Sequence, residues 1–232
     1  MDTARYTAPR PGRPRHVPDR SQVSPREQIL DAAARLFTGQ GFAATSTREI
    51  ADLVGIRQAS LYYHFAGKDD ILGELLEKTV RPTLDSLDEL APLTPEARLY
   101  MLAYRDARVL AELEHNIGML PTHPDVTSAG DACREYELAR QQLRAAYGAL
   151  GVAIASDAVN GTIGQEQLGG ILIQQVEGVV RTRTEHDVVT DVELHAVAAT
   201  CLRICGIPED RAQAAARGES DKIARTIAAG LK

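Results

Sequence analysis

Between Ser46 and His64 the sequence writes two short helices around a single glycine, a pattern that few folds accommodate. Ser46 followed three residues later by Glu49 is a capping box, in which hydroxyl and carboxylate satisfy the open amides of a first helical turn. The helix it opens turns Ile50, Leu53 and Val54 inward. Gly55 supplies the tight turn, because a residue without a Cβ takes a left-handed backbone at little cost. A third helix then runs from about Arg57 to His64, with Leu61 and Phe65 inward. Helix, glycine turn, helix is a helix-turn-helix. Ahead of it, Ser24-Pro25 places a cap before a proline suited to the first helical position. Ile29, Ala33, Leu36 and Phe37 follow at helical spacing as far as Gly41.

The remainder also reads as helix, with no stretch alternating as a strand and no internal repeat. Gly67-Lys68-Asp69-Asp70 opens a long helix carrying Ile71, Leu72, Leu75, Leu76 and Val80, with a kink expected at Pro82. Thr94-Pro95-Glu96 starts another, continuing through Leu113 to Ile117, and Pro121 and Pro124 mark a loop. Further helices are expected at about 128–150, 163–184 and 191–205, the last opened by a Thr190–Glu193 capping box. Residues 151–164 read as loop or broken helix, and Ile223, Ile227 and Leu231 suggest a final helix. The expected class is all-α: a three-helix helix-turn-helix unit and a larger helical body. The expected divisions are a flexible basic arm at 1–23, the helix-turn-helix unit at 24–68, and the body at 69–232.

Charge separates the two ends. The net charge is −6, yet residues 1–68 hold 10 Lys+Arg against 6 Asp+Glu while the rest holds 16 against 26. A basic end on an acidic body suits nucleic-acid contact through that end alone. Prolines 9, 11, 14 and 18 keep the first residues out of regular helix. Gly12-Arg13-Pro14-Arg15 resembles the core of an AT-hook, which lays arginines in a narrow minor groove; a tail with general phosphate attraction is the alternative. No apolar run approaches the roughly 18 residues of a membrane span, and no apolar stretch follows the N-terminal basic residues as in a secretory signal. Three cysteines, Cys133, Cys201 and Cys205, fit a reducing cytoplasm. Cys201 and Cys205 lie four apart near His195, which leaves metal or redox sensing beside the plainer role of small apolar packers.

Gly41-Phe42, Ala44-Thr45-Ser46-Thr47-Arg48-Glu49-Ile50-Ala51, Val54-Gly55-Ile56, Leu61-Tyr62-Tyr63-His64-Phe65 and Lys68-Asp69 stand in an order and spacing that resembles the tetracycline-repressor (TetR) family. The resemblance is tight over about 24–75. It implies a recognition helix in the major groove, a body that dimerises, and often a small-molecule pocket there. The physics of the residues agrees with the first role. Gln58 has the donor–acceptor pair that matches adenine, Arg48 can donate twice to guanine, and Ala59 can meet a thymine methyl. Thr47, Ser60, Tyr62, Tyr63, His64 and Lys68 are candidate DNA contacts, mostly to phosphate, with Arg13 and Arg15 of the arm. Either tyrosine can instead be core, His64 can simply pack, and Arg48 can pair with Glu49 or Asp52.

In the body, the helices at about 163–184 and 191–205 are the candidate homodimer seam. The first is apolar over much of its circumference, and Gly169-Gly170 would admit a partner backbone or break the helix. Tyr104, Arg108, His115, Asn116, Tyr136 and Glu177, with Tyr100 and Tyr147, are candidates to orient a small-molecule effector, although polar groups on such helices often face solvent. The expected function is a DNA-binding transcription regulator on double-stranded operator DNA: a repressor released by a ligand, or else a ligand-independent activator or architectural protein. No catalytic residue, cofactor, metal or membrane partner is expected. There is no nucleophile elbow, P-loop or zinc-protease motif. Pro121 and Pro124 break the helical spacing that would join Glu114, His115 and His123 in a metal site.

Overall fold

The computed structural model describes residues 23–123, 125–126, 133–186 and 188–215, and these hold helices and no strand. The arm at 1–22 and the helix expected around Ile223 lie outside them. Helix α1 (Pro25–Gln40) is capped by the Ser24 hydroxyl, which accepts from the Glu27 amide at 3.2 Å. Helix α2 (Thr47–Val54) carries the complete Ser46–Glu49 capping box and ends on Gly55 at φ 83°. Helix α3 (Gln58–His64) follows at once. Ile29, Phe37, Ile50 and Leu61 close a small core among the three. Leu53 departs from expectation: it lies three residues beyond the buried Ile50, on the edge of α2, and is 40% exposed.

Helix α4 (Lys68–Glu77) stops well before Pro82, and a separate turn of helix, α5 (Arg81–Asp85), carries that proline near its start. A proline clashes with the carbonyl four residues earlier, here Lys78, so the chain breaks at 78–80 where a kink was expected. Helix α6 (Pro95–Glu112), capped by Thr94, also ends earlier than its apolar spacing suggests. His115 and Asn116 take left-handed backbones (φ 54° and 49°). They turn the chain into a 3-10 segment, Glu114–Thr122, that includes Pro121 rather than ending before it.

Helix α7 (Arg134–Ile154) runs straight through Gly151, and a single turn, α8 (Asp157–Asn160), leads to α9 (Gln165–His186) and α10 (Asp191–Ile204). The glycines explain both departures. A Cβ at Gly148 would lie 2.5 Å from the Gln165 carbonyl oxygen, and one at Gly169 would lie 2.4 Å from that of Arg144. Gly169 therefore admits a close backbone from this chain's own α7, and α9 is unbroken. Leu143, Tyr147, Leu168, Leu172 and Val176 fill that crossing. On the other side α10 packs on α6: the Tyr100 hydroxyl meets His195 Nδ1 at 2.5 Å, and the Tyr104 hydroxyl donates to Asp191 at 2.6 Å.

The 3-10 segment joins the body to the first helices. His115 Nε2 meets Asp31 of α1 at 2.8 Å, and just beyond the segment Asp125 accepts the Ala43 amide at 2.8 Å. On its other side Asn116 donates to the Val180 carbonyl of α9 at 3.0 Å. No helix among the described residues is long and apolar enough to cross a membrane.

Candidate nucleic-acid interface and a cavity in the body

The outer surface of α2 and α3 is built on Leu61 and Phe65. Their burial leaves Gln58, Ala59, Ser60, Tyr62 and Tyr63 exposed on the opposite side. Three of the polar groups are organised. Gln58 Nε2 donates to Thr47 Oγ1 at 2.9 Å, and the Tyr62 hydroxyl lies 3.1 Å from the same oxygen. One Gln58 N–H and its carbonyl oxygen remain for a base edge. Arg48 is open, with only a 3.9 Å approach to Asp52, a solvated contact worth little. Neither tyrosine is core: Tyr63 is 87% exposed and half of Tyr62 is open. His64 is half-buried and packs edge-on against Tyr63, the ring centroids 5.3 Å apart.

Lys68 is a correction. Its ammonium donates to the carbonyls of Phe42 (2.9 Å) and Thr45 (3.0 Å), approaches that of Ala43, and sits 4.4 Å over the Phe42 ring. It ties the α1–α2 turn to the start of α4 and does not face outward to phosphate. Arg13 and Arg15 lie outside the described residues.

In the body, a cavity of about 690 Å³ lies between α6, the 3-10 segment, α7 and α9. Of the six candidate ligand residues, Tyr136 and Glu177 line it. The other four are engaged elsewhere: Tyr104 with Asp191, Arg108 with Glu112 in the open, His115 with Asp31, and Asn116 with Val180. Tyr100 points to His195. The most buried charged group of the cavity lining is one that sequence reasoning passed over. Asp106 is 2% exposed, accepting from Thr83 at 3.1 Å and from Tyr147 at 2.8 Å. Burial pushes its carboxyl up to about 7, and the two hydroxyl donors only partly oppose that. Its signal was in the sequence: a carboxylate three, four and seven residues from Ala103, Leu102, Leu110 and Leu99, within the apolar stripe of α6. Beside it Arg140 gives Nε and Nη2 to the two oxygens of Glu177, each at 2.9 Å.

Two smaller expectations are also placed. Cys201 and Cys205 are buried thiols, pushed up to about 12 and about 11 by desolvation, while His195 turns to Tyr100 and Asp191. Packing accounts for them. Asp31, Glu114 and His115 bring ligand atoms within 4.8 Å of one another, all three exposed; His123 is not part of the group.

Comparison with known proteins bears on this arrangement. Residues 29–75 match the sequence profile of bacterial regulatory proteins, tetR family. The crystal structure of Mycobacterium smegmatis AmtR superimposes with a TM-score of 0.74 at 35% identity, over 88% of this chain and 98% of that one. The chain belongs to the tetR family of bacterial regulatory proteins. Within the tetR family, a 53-residue stretch is 47% identical to the HTH-type transcriptional repressor KstR2 of Mycobacterium tuberculosis (strain H37Rv), 23% of this chain and 26% of that protein. The chain thus spans about a quarter of the length of the curated relatives it matches. The AibR structure, in complex with isovaleryl coenzyme A and operator DNA, shares the tetR fold at 16% identity, with a TM-score of 0.60 over 74% of this chain and 94% of that one. The tetR match at residues 29–75 spans α2, α3 and their shared turn, the helix-turn-helix of this chain.

Proposed function

We propose that the chain represses transcription by binding a two-fold symmetric operator as a homodimer, and that a small molecule entering the body cavity releases it. The observation that carries this is the organised outer face of α3. Gln58 is held by Thr47, whose hydroxyl also meets that of Tyr62, and the free groups of Gln58 are oriented toward where a major groove would lie. In this reading residues 24–68 form the reading unit and 69–232 the regulatory body. Arg48, Gln58 and Ala59 meet bases; Thr47, Ser60, Tyr62, Tyr63 and His64 meet backbone. The seam is the outer face of α9 and α10, where Ile171 and Val192 are exposed and nothing lies within 4 Å of a Cβ on Gly178. Small residues there allow two helices to approach closely. That AibR binds both operator DNA and an acyl coenzyme A supports a joint role for head and body in this fold. The 3-10 segment is the natural link, since it borders the cavity and holds α1. Ligand that binds the two states unequally would shift the population away from the DNA-competent one.

The test is selection of bound duplexes from a random pool at stated salt. A palindromic motif is expected. Arg48→Ala or Gln58→Ala should relax preference at one base position per half-site, by about 1–3 kcal/mol. Uniform weakening on every sequence would move that residue to the backbone class. Enrichment without symmetry would favour an architectural protein.

A further inference from the structure

We propose that the cavity takes a small organic cation, an ammonium or amidinium on a short hydrocarbon body, with its charge set against the Asp106 carboxylate. This rests on reading the cavity as the ligand site and adds the chemistry of the ligand.

Among the described residues of the body, Asp106 is a buried carboxylate with no cation at hydrogen-bond distance. Its two hydrogen-bond donors, Thr83 of α5 and Tyr147 of α7, are both neutral hydroxyls. The guanidinium that faces it, Arg140 of α7, is held bidentately by Glu177 of α9. The remaining group turned toward it is the Cys201 thiol of α10, itself pushed up by burial. A buried carboxylate so placed either keeps its proton or meets a cation. Each of its oxygens accepts one hydrogen bond from these hydroxyls and keeps a lone pair for a second.

The rest of the lining points the same way. Its carboxylates are Asp106, Glu137, Glu177 and Glu185, against the guanidiniums of Arg140 and Arg181. Arg140 is matched to Glu177, and Arg181 approaches Glu185 at 3.6 Å, so the surplus is acidic. An anionic ligand would enter against that surplus, whereas a cation is complementary to it. Leu110, Met119, Leu143, Ile173 and Val180 offer apolar cover for a hydrocarbon portion. The volume is within the usual range for a small-molecule site.

A proton accompanies the ligand. The cation stabilises the ionised carboxylate, so below about pH 7 each molecule bound displaces one proton from Asp106. Affinity for a probe that stays charged rises about tenfold per pH unit up to about 7, then levels.

The experiment titrates full-length protein with butylammonium and benzamidinium, and in parallel with butyrate, benzoate, butyramide and benzamide, from pH 5 to 8. Ligand-observed NMR and calorimetry in two buffers give affinity and protons released. Expected are binding of the cations alone, release approaching one proton at pH 5.5, and at least a tenfold loss in Asp106→Asn. Tyr147→Phe, which keeps the carboxylate but removes a donor, should move the midpoint of the pH profile upward. It serves equally if the asparagine variant does not fold. Leu143→Trp, which fills the cavity, should abolish binding. Cation binding that ignores Asp106→Asn or shows no pH dependence overturns the proposal, as does failure of every cation to bind. Binding of the acids or amides instead, lost in Leu143→Trp, overturns the cation and leaves the cavity reading standing. Binding of any probe untouched by Leu143→Trp counts against the cavity itself.

Discussion

At the scale of single residues, a charged side chain near a candidate DNA-reading surface can serve the nucleic acid or the protein, and Lys68 is tied to the protein's own carbonyls. Its ammonium closes on the carbonyls of Phe42 and Thr45, which α1 and α2 leave open at their junction. Lys68→Ala would return those carbonyls to poor partners and remove the cation over Phe42. It should lower stability by about 1–3 kcal/mol, read by thermal denaturation. DNA affinity should then fall only as the folded fraction falls, with the salt slope unchanged. A lysine bound to phosphate would behave in the opposite way, with the melting temperature preserved and the slope smaller by about one. Asp106 makes the complementary point, that a carboxylate on an apolar stripe is worth more attention than one on a polar face.

At the scale of elements, the starts of helices were legible, as were the ends that Gly41 and Gly55 mark, while the unmarked ends of α4 and α6 were not. Ser24, Ser46 with Glu49, Thr94, and Thr190 with Glu193 cap as their residue types require. The end of α6 has no such mark. Apolar spacing continues to Ile117 while His115 and Asn116 turn left-handed, a conformation fixed by contacts to Asp31 and Val180 that are remote in sequence. Glycine misled for a related reason. Gly151 and Gly169 look like breakers, yet they lie where α7 and α9 touch, so tertiary packing sets their role. Gly169→Ala would drive a methyl group into the Arg144 carbonyl and force the helices apart. A loss of about 1–3 kcal/mol is expected in denaturant unfolding. Gly178→Ala meets nothing within 4 Å in the single chain and should raise the stability of the monomer by up to about 1 kcal/mol. The pair separates a packing glycine from a merely permissive one. The candidate interface was legible because its residues lie close together in sequence; the cavity was not, because four elements and the break at 78–80 contribute to it.

At the scale of the whole molecule, the 3-10 segment Glu114–Thr122 touches both regions that matter. Gly118, Met119, Pro121 and Thr122 border the cavity, while His115 and the nearby Asp125 hold α1 and the turn after it. These ties are partly exposed, so their contribution to global stability is small. Their contribution to coupling is measurable separately. In a His115→Ala, Asp125→Ala double variant, amide exchange in α1 and residues 41–46 should accelerate several-fold, while α7 and α9 keep their protection. Unchanged exchange in α1 would make the segment a passive neighbour.

That dual contact bears on how such proteins are recombined, by evolution or at the bench. A graft cut at the junction of α3 and α4 looks clean along the chain. It would leave behind the imidazole that holds Asp31 and the carboxylate that holds Ala43, both more than forty residues downstream of the cut. On the proposed function, the heritable module of response would be discontinuous: the first helices together with a short stretch of the body. If the body senses a ligand as proposed, chimeras that exchange the first part alone would keep their address and lose their hearing.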